Sequence, residues 1–336
     1  MGKLSTKKNN APLRKIYTLV RYPEDYAFLD TSNLFVLLIS FKSQSFLNFH
    51  TWNKGQPIKR MKMQNDLCRK IKFSSKMNAL CVWSHEYLGV IFLGSSFKVF
   101  SFEDLHNLTC VEFVDDNNTV LVGRVNEPSF ALDFSDRSQE PTKTEILSEY
   151  LGVLSLHYDN TRGLLIAVTT SQLIVQNYKN GQTLLSFSHD EDACIRYDPH
   201  RELLLTFRAD SKFQTATNRY KTFTIASFWK LEQLEDLRVK LKVVCETESE
   251  KMDWERMVFV EFIGKTAIFV CFETGNMNPA ILAMDYNNGE VIETIPLKSI
   301  HEIMSCVHFY TAKKKCFVST VLGRQFLYVL PQFIGE

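Results

Sequence analysis

The chain has 336 residues, of which 45% are hydrophobic and 12% aromatic, so it has enough strand-forming material for a packed interior. Its 39 basic and 38 acidic residues give a formal net charge of +1, which argues against a dedicated nucleic-acid-binding domain. No apolar run approaches the roughly 18–20 residues that a membrane-spanning helix needs, and no secretory signal is visible.

The cysteines point to a reducing compartment. There are eight, none of them forms a C-x-x-C pair, and most lie inside apolar strand-like runs such as 79–82. This pattern is typical of buried free thiols. We therefore expect an intracellular, cytoplasmic protein that is not secreted, with a nuclear or membrane-peripheral location as alternatives.

The N-terminal residues carry the sharpest short motif. Met1 and Gly2, followed by Thr6, match the pattern for N-myristoylation of Gly2. A single acyl chain binds membranes only marginally, and Lys7 and Lys8 are a second, cationic signal of the kind that is needed. The alternative is an unmodified basic leader. In either case the composition predicts a flexible basic tail over residues 1–14.

A short aromatic motif recurs along the rest of the chain. An apolar residue, any residue and then Phe or Tyr open a run that turns and becomes apolar again. The instances are Tyr26–Phe28, Ile71–Phe73, Val111–Phe113, Leu156–Tyr158, Ile195–Tyr197, Val260–Phe262 and Val307–Phe309. The ring-to-ring spacings are 45, 40, 45, 39, 65 and 47 residues. A period in the low-to-middle forties is the length of a four-stranded propeller blade.

One unit shows the pattern most clearly. Residues 153–158, 164–168, 172–178 and 182–187 read as four short strands, and Gly181 supplies the positive φ that a tight hairpin needs. The unit over 68–110 fits worst, because it leaves little room for a fourth strand. The polar, proline-containing stretch 135–143 reads as a solvated loop.

The units resemble those of the WD-repeat family. In that family the third strand of each blade tends to end in Trp-Asp before a polar hairpin. The matching positions here are degenerate: Trp52–Asn53, Phe134–Ser135, Tyr178–Lys179, Trp229–Lys230 and Tyr286–Asn287. The family's Gly-His pair is absent, and His189 is the only stand-in for its histidine. The resemblance covers the chain from about Lys15 and implies a β-propeller.

We therefore predict an all-β fold in which residues 15–336 form a single propeller of seven four-stranded blades, with six or eight blades as the alternatives. The last unit, 305–330, has no room for a fourth strand before the chain ends. The apolar segment 15–20 precedes the first motif without a blade of its own. We expect it to pair with the last blade and close the ring, because open sheet edges are avoided in soluble proteins.

The repeat is interrupted between Tyr197 and Phe262, where the spacing exceeds the usual unit by about 20 residues. We expect a polar loop at 208–220 and a charged loop at 246–256, and either a short helix or a lengthened hairpin at 231–237. Exposed aromatic rings beside arginines suit a protein contact, although the same rings also suit packing on their own blade. The partner-binding candidates are Arg208, Lys212, Phe213, Arg219, Tyr220, Trp254 and Arg256.

Catalytic and metal-binding motifs are missing from the sequence. The eight histidines are scattered, and neither an H-E-x-x-H nor a phosphate-binding glycine loop occurs. His157 and His308 occupy the middle position of the aromatic motif, which Lys72, Glu112, Arg196 and Glu261 take elsewhere, so this reads as an outward or intermediate strand position. We therefore expect no catalytic residues, cofactor or metal.

The first hypothesis for function is a non-enzymatic scaffold that docks one or more proteins within a larger assembly. The second is a membrane-recruited adaptor that is tethered through Gly2 and the basic tail. An enzyme with a loop-built site at the channel mouth is a third hypothesis. A fourth is RNA contact through Arg208, Lys212, Arg219 and Lys221, although the charge balance disfavours nucleic acid. No small-molecule substrate is evident.

Overall fold

The computed structural model describes sixteen segments of the chain. They are residues 23–29, 34–41, 44–51, 57–63, 68–94, 96–188, 194–198, 201–214, 219–233, 239–249, 252–253, 259–273, 279–297, 304–310, 315–320 and 325–329. Within them, the one helical element is a 3-10 turn at Asp115–Asn117. None of the helical structure in these segments is long and apolar enough to cross a membrane.

The described residues form seven antiparallel sheets, each of them built from consecutive strands. The first has β1 (Pro23–Leu29), β2 (Leu34–Phe41), β3 (Gln44–Thr51) and β4 (Lys59–Lys62). The second has β5 (Lys70–Ser74), β6 (Ala79–Trp83), β7 (Leu88–Phe92) and β8 (Lys98–Phe102). The third has β9 (Leu108–Val114), β10 (Thr119–Arg124), β11 (Ser129–Asp133) and β12 (Thr142–Ile146).

The remaining four sheets follow the same plan. The fourth has β13 (Val153–Asp159), β14 (Leu164–Thr169), β15 (Gln172–Asn177) and β16 (Thr183–Ser188). The fifth has β17 (Cys194–Asp198), β18 (Leu203–Gln214), β19 (Arg219–Gln233) and β20 (Val239–Ser249). The sixth has β21 (Met252–Asp253), β22 (Phe259–Ile263), β23 (Thr266–Glu273), β24 (Pro279–Asp285) and β25 (Val291–Pro296). The seventh has β26 (Met304–Tyr310), β27 (Lys315–Thr320) and β28 (Gln325–Val329).

Each copy of the aromatic motif lies in a strand at the edge of its sheet: β1, β5, β9, β13, β17, β22 and β26. In six of the seven sheets this is the first strand, and in the sixth the two-residue β21 precedes β22 and pairs with the same neighbour, β23. The second unit is not defective, because β8 is a complete fourth strand paired with β7. Short strands of five residues, rather than a missing strand, explain the compressed spacing there.

The sheets pack face to face in chain order. One apolar cluster contains side chains of the second and third sheets, including Phe92 and Phe134, whose ring centroids are 5.4 Å apart. Other clusters join the first sheet to the second, the third to the fourth, the fourth to the fifth and the fifth to the sixth. Full burial of each large apolar side chain contributes roughly 1.5–3 kcal/mol, so these shared cores hold neighbouring sheets together.

Turns after the third strands repeat one hydrogen bond. The backbone N–H groups of Ser135 and Asn287 each donate to the carboxylate two residues earlier, at Asp133 and Asp285, over 2.8 Å. In the fourth sheet the N–H of Lys179 donates in the same way to the Asn177 side chain. An aromatic residue stands between donor and acceptor each time, at the degenerate Trp-Asp positions. The resemblance thus located three of its five positions at the ends of third strands. Trp229–Lys230 lies inside β19 instead of at its end, and Trp52–Asn53 lies outside the described residues.

Turns after two of the first strands tie each sheet to the next. Arg162 Nε donates to Asp159 Oδ2 at 2.7 Å, and its Nη2 donates to the Tyr197 hydroxyl of the fifth sheet at 3.0 Å. One repeat later, Arg201 donates to Asp198 and to the Gly264 carbonyl of the sixth sheet. Arg162 and Arg201 therefore link their own sheets to the next ones through hydrogen bonds.

The first and seventh sheets are neighbours, since Cα atoms of β1 lie within 8 Å of Cα atoms of β26. The predicted closing strand at 15–20 and the predicted tail at 1–14 lie outside the described residues. The stretch 135–140 is exposed, as expected for a solvated loop, whereas Thr142 and Lys143 already belong to β12. The helix alternative for 231–237 is wrong for Leu231–Gln233, which continue β19 and pair with β20.

Candidate functional site

A long β-ribbon projects from the fifth sheet. Strand β17 pairs with β18 only as far as Phe207, yet β18 and β19 continue to pair from Arg208 to Gln214. The third strand of this group, β20, pairs with β19 only from Thr224 onward. The five residue pairs beyond that point form a two-stranded ribbon, which at about 3.3 Å per residue is roughly 16 Å long.

This ribbon corrects the prediction of a polar loop at 208–220. Arg208, Lys212, Phe213, Arg219 and Tyr220 all lie in strands, because β18 and β19 pair in register along this stretch. A stretch of mixed charged and apolar residues can form either a loop or a two-faced ribbon. The composition of 208–220 therefore could not distinguish between these two structures.

The ribbon brings five of the seven predicted partner-binding residues together. Phe213 stands opposite Tyr220, and Gln214 stands opposite Arg219, next to the tip. The Phe213 side chain is 49% exposed. The charged loop predicted at 246–256 is also partly wrong, since residues 246–249 extend β20. Trp254 and Arg256, like the lipidation candidate Gly2, lie outside the described residues.

One cation of the ribbon is neutralised within the fold. Lys212 Nζ lies 2.6 Å from Glu248 Oε2 of β20, with both side chains exposed. An exposed pair of this kind contributes at most about 1 kcal/mol. It also removes one of the four positive charges on which RNA contact depends, so the ribbon does not present a purely basic face.

A row of polar side chains crosses four consecutive first strands, and the sequence did not reveal it. Lys72 of β5 lies 2.7 Å from Glu112 Oε1 of β9, and Glu112 Oε2 lies 3.7 Å from His157 Nδ1 of β13. Arg196 of β17 follows at the same motif position. The outward reading of this position is therefore wrong, although the partial burial of these side chains agrees with an intermediate one.

The imidazole in this row is kept neutral. Burial lowers the pKa of His157 well below its ordinary value, and the positive charges of Arg196 and Lys72 lower it further. Glu112 does not reverse this effect, because its carboxylate is already engaged by the Lys72 ammonium at the shorter distance. No group of three or more metal-ligating side chains occurs in the described part of the chain.

Four cysteine side chains are described by the structure. Cys68, Cys81, Cys110 and Cys245 are free thiols, and the first two are buried. Burial raises the pKa of the Cys81 thiol far above its ordinary value and that of Cys110 to about 12. These two thiols stay protonated at neutral pH and are poor nucleophiles, because the thiolate is the reactive form.

Comparison with solved structures identifies the architecture. The β-propeller domain of Cps50 (Swd1) from Myceliophteria thermophila superposes with a TM-score of 0.73 at 10% identity, over 95% of this chain and 100% of that domain. The C-terminal WD40 domain of Sif2 superposes with a TM-score of 0.64 at 13% identity, over 91% of this chain and 80% of that one. No protein-family model and no curated protein matches the chain.

The chain is thus a WD-repeat-like β-propeller, as its degenerate repeats indicated. At sequence identities of 10% and 13%, these similarities establish the fold and say nothing about function. Function has to be argued from the features by which this propeller departs from a regular ring.

Proposed function

We propose that this propeller is a non-enzymatic scaffold that docks another protein through the β18–β19 ribbon, as one component of a larger assembly. The proposal assumes a closed ring of seven blades. Seven successive sheets, the shared apolar clusters and the proximity of β1 to β26 support that ring. A rigid ring of this kind holds its projecting elements in fixed positions.

Closure by residues 15–20 belongs to the same proposal. The seventh sheet has three strands within the described residues, whereas the other sheets have four or five. Strand β28 is therefore the edge that an additional strand has to cover, and unprotected edges invite aggregation. The apolar segment 15–20 is long enough to supply this strand.

The ribbon itself is the observation that carries the docking function. The sheet does not need the five residue pairs beyond Thr224, and a two-stranded ribbon has little apolar area of its own to stabilise it. It nevertheless carries Phe213 with 49% of its side chain exposed. Aromatic side chains that are buried by a partner contribute most of the energy at many interfaces.

Truncation of the ribbon tests the proposal. Replacing Asp210–Phe223 by Asn-Gly joins Ala209 to Thr224 through a two-residue turn and leaves the pairing with β20 intact. Affinity-tagged wild-type and truncated proteins are compared by co-purification from native cells and mass spectrometry. We expect at least one stoichiometric partner to be lost with the ribbon while the melting temperature stays unchanged.

A point variant sharpens this test. F213A is expected to weaken binding of that partner at least tenfold, whereas V99A, which truncates another exposed apolar side chain on β8, leaves binding unchanged. If the truncated protein and F213A bind every partner with the same affinity as the wild type, the ribbon is not the docking element.

Membrane recruitment through Gly2 remains a second candidate, because Gly2 and Thr6 fit the myristoylation pattern and lysines follow. It would make the scaffold a peripheral membrane adaptor. Mass spectrometry of the mature N-terminus in the native cell decides this point. An unblocked or acetylated N-terminus would end the lipid proposal without affecting the docking proposal.

A further inference from the structure

A second surface, distinct from the ribbon, lies at the outer edge of the first sheet. The first strands of neighbouring sheets lie close together, as β1 does to β5, so the fourth strand β4 lies at the outer rim. Three of the four residues of β4 are cations, Lys59, Arg60 and Lys62, and all three are exposed. No acidic residue occurs in the described segment 57–63.

The cations of β4 have no counter-charge within the described chain. No carboxylate lies within 4.0 Å of the charged groups of Lys59, Arg60 or Lys62. On β20, another outer strand, Lys240 and Lys242 lie 3.3 and 3.6 Å from the Glu232 carboxylate. Lysines on an edge strand discourage unwanted pairing, and this role suits both strands. It does not explain why β4 lacks the counter-charge that β20 has.

Aromatic rings hold two of these cations in place. Lys59 Nζ lies 3.4 Å from the ring centroid of Phe97 in the second sheet. The guanidinium carbon of Arg60 lies 4.2 Å from the ring centroid of Phe46. Successive side chains of a strand point to opposite faces, so the two cations flank the edge of β4. A ring attracts a cation without neutralising its charge, and both charges therefore remain available to an anionic surface.

Exposed aliphatic side chains accompany the charges. Ile58 precedes β4, its N–H donates to the Phe49 carbonyl, and its side chain is 52% exposed. Val99 on β8, two residues after the Phe97 that Lys59 covers, is 37% exposed. We call the surface formed by Ile58, Lys59, Arg60, Lys62 and Val99 the basic rim.

This combination of groups favours a membrane over other anionic partners. Cations are attracted to anionic phospholipid headgroups, and aliphatic side chains gain from contact with the boundary of the acyl chains. Single-stranded nucleic acid instead needs open aromatic faces on which bases stack. Phe46 and Phe97 do not offer such faces, because Arg60 and Lys59 lie over them.

The N-terminal signals can reach the same membrane plane. The described chain begins at Pro23 in β1, so 22 residues precede it, and at about 3.3 Å each they span up to roughly 70 Å. Strand β4 is three strand spacings from β1 in the same sheet, which is about 14 Å. Gly2 and the lysines after it are therefore within reach of a membrane that contacts β4.

We propose that the basic rim binds the anionic headgroups of a membrane, with Ile58 and Val99 at the acyl boundary. The inference rests on the proposed recruitment to a membrane, although not on acylation of Gly2, because the cations of β4 are present with either form of the N-terminus. It is independent of the ribbon, since none of the rim residues lies in the fifth sheet.

Flotation with lipid vesicles tests the proposal, using the full-length protein without an acyl chain in about 100 mM salt. We expect at least tenfold stronger partitioning to phosphatidylcholine vesicles that contain about 30 mol% phosphatidylserine than to phosphatidylcholine alone. The variant K59Q/R60Q/K62Q should weaken this binding at least tenfold. R60Q/K62Q, which leaves Lys59 on the Phe97 ring, should weaken it at least threefold.

The matched control is K179Q/K230Q/K265Q, which removes three exposed lysines from the fourth, fifth and sixth sheets. It should change the partitioning less than twofold, with the melting temperature of every variant equal to that of the wild type. Equal weakening by both triple variants would reduce the effect to total charge and overturn the proposal.

Three further measurements separate the remaining explanations. I58S should weaken vesicle binding at least threefold, and an unchanged affinity would place no aliphatic group at the membrane. If the protein binds polyglutamate or oligouridylate more tightly than the vesicles, the rim serves an acidic macromolecule and the proposal fails. Deletion of residues 1–14 should preserve the effect of the triple substitution. If the deletion alone abolishes binding, the tail is the membrane signal and the rim is not. An N-terminus without an acyl chain in the native cell would end the lipid proposal and leave this inference standing.

Discussion

Lys72 and Glu112 are separated by one repeat in the sequence and joined by an ion pair in the fold, with Nζ 2.7 Å from Oε1. They occupy the same motif position in β5 and β9. The carboxylate is 13% exposed and the ammonium 38%, so the pair is partly withdrawn from water. The second and third sheets are thus joined by this ion pair as well as by their shared apolar cluster.

We expect E112Q to lower the free energy of unfolding by about 1–3 kcal/mol, because the Lys72 ammonium keeps its partial burial and loses its counter-charge. Urea denaturation measures the change. D116N is the matched control, since Lys76 and Asp116 join the same two sheets at 3.1 Å but are 58% and 60% exposed. It should change the stability by less than about 1 kcal/mol. Equal losses in both variants would contradict the importance of burial.

His157 should make stability depend on pH. Its pKa is lowered in the folded protein by burial and by Arg196 and Lys72, whereas the unfolded chain titrates near the ordinary value of 6.5. The unfolded chain therefore binds more protons below that pH. The stability from this group is fully present above pH 6.5 and is lost as the pH falls toward the folded pKa, with a limiting slope of about 1.4 kcal/mol per pH unit.

Thermal denaturation between pH 7.5 and 5 tests this dependence. H157Q should flatten the curve of stability against pH in that window, whereas H106Q, which replaces an exposed imidazole, should leave it unchanged. A wild-type stability that is independent of pH over the window, with H157Q identical to it, would mean that the imidazole is not held neutral by the fold.

The sequence predicted what depends on local pattern. The aromatic motifs and the turn residues after them placed one edge strand in each of the seven sheets, because turn residues mark where a strand ends. The sequence pattern could not predict which side chains of neighbouring repeats contact each other. Nothing local to Lys72 indicates that Glu112 faces it, since the geometry depends on how two sheets pack.

The candidate surfaces were predicted less well for the same reason. Residues 208–214 look like a loop by composition, and only their register with 219–225 makes them a ribbon.

Gly152 is expected to tolerate no side chain. It has φ +77, a Cβ there would lie 2.8 Å from Thr170 Oγ1, and its N–H donates to the Val125 carbonyl of the third sheet. We predict that G152A costs about 2–3 kcal/mol, from the left-handed conformation and the contact together. G181A, with φ +70 and open space around it, should cost only about 1 kcal/mol. Chemical denaturation gives both values, and a cost for G181A as large as that for G152A would rule out the contact as the cause.

The closing strand gives the most demanding prediction. If residues 15–20 complete the seventh sheet, deletion of residues 1–20 leaves β28 as an open edge and removes the link between the ends of the chain. We expect the melting temperature to fall by about 10 °C or more, and the protein to self-associate through the uncovered edge. Differential scanning fluorimetry and size-exclusion chromatography measure these two effects.

Deletion of residues 1–14 is the matched control, because it removes the basic tail and retains the proposed strand. We expect this variant to melt with the full-length protein. If both deletions leave the melting temperature and the monomeric state unchanged, residues 15–20 do not close the ring. If both lower it equally, the stabilising residues lie within the tail, and the boundary at Lys15 is wrong.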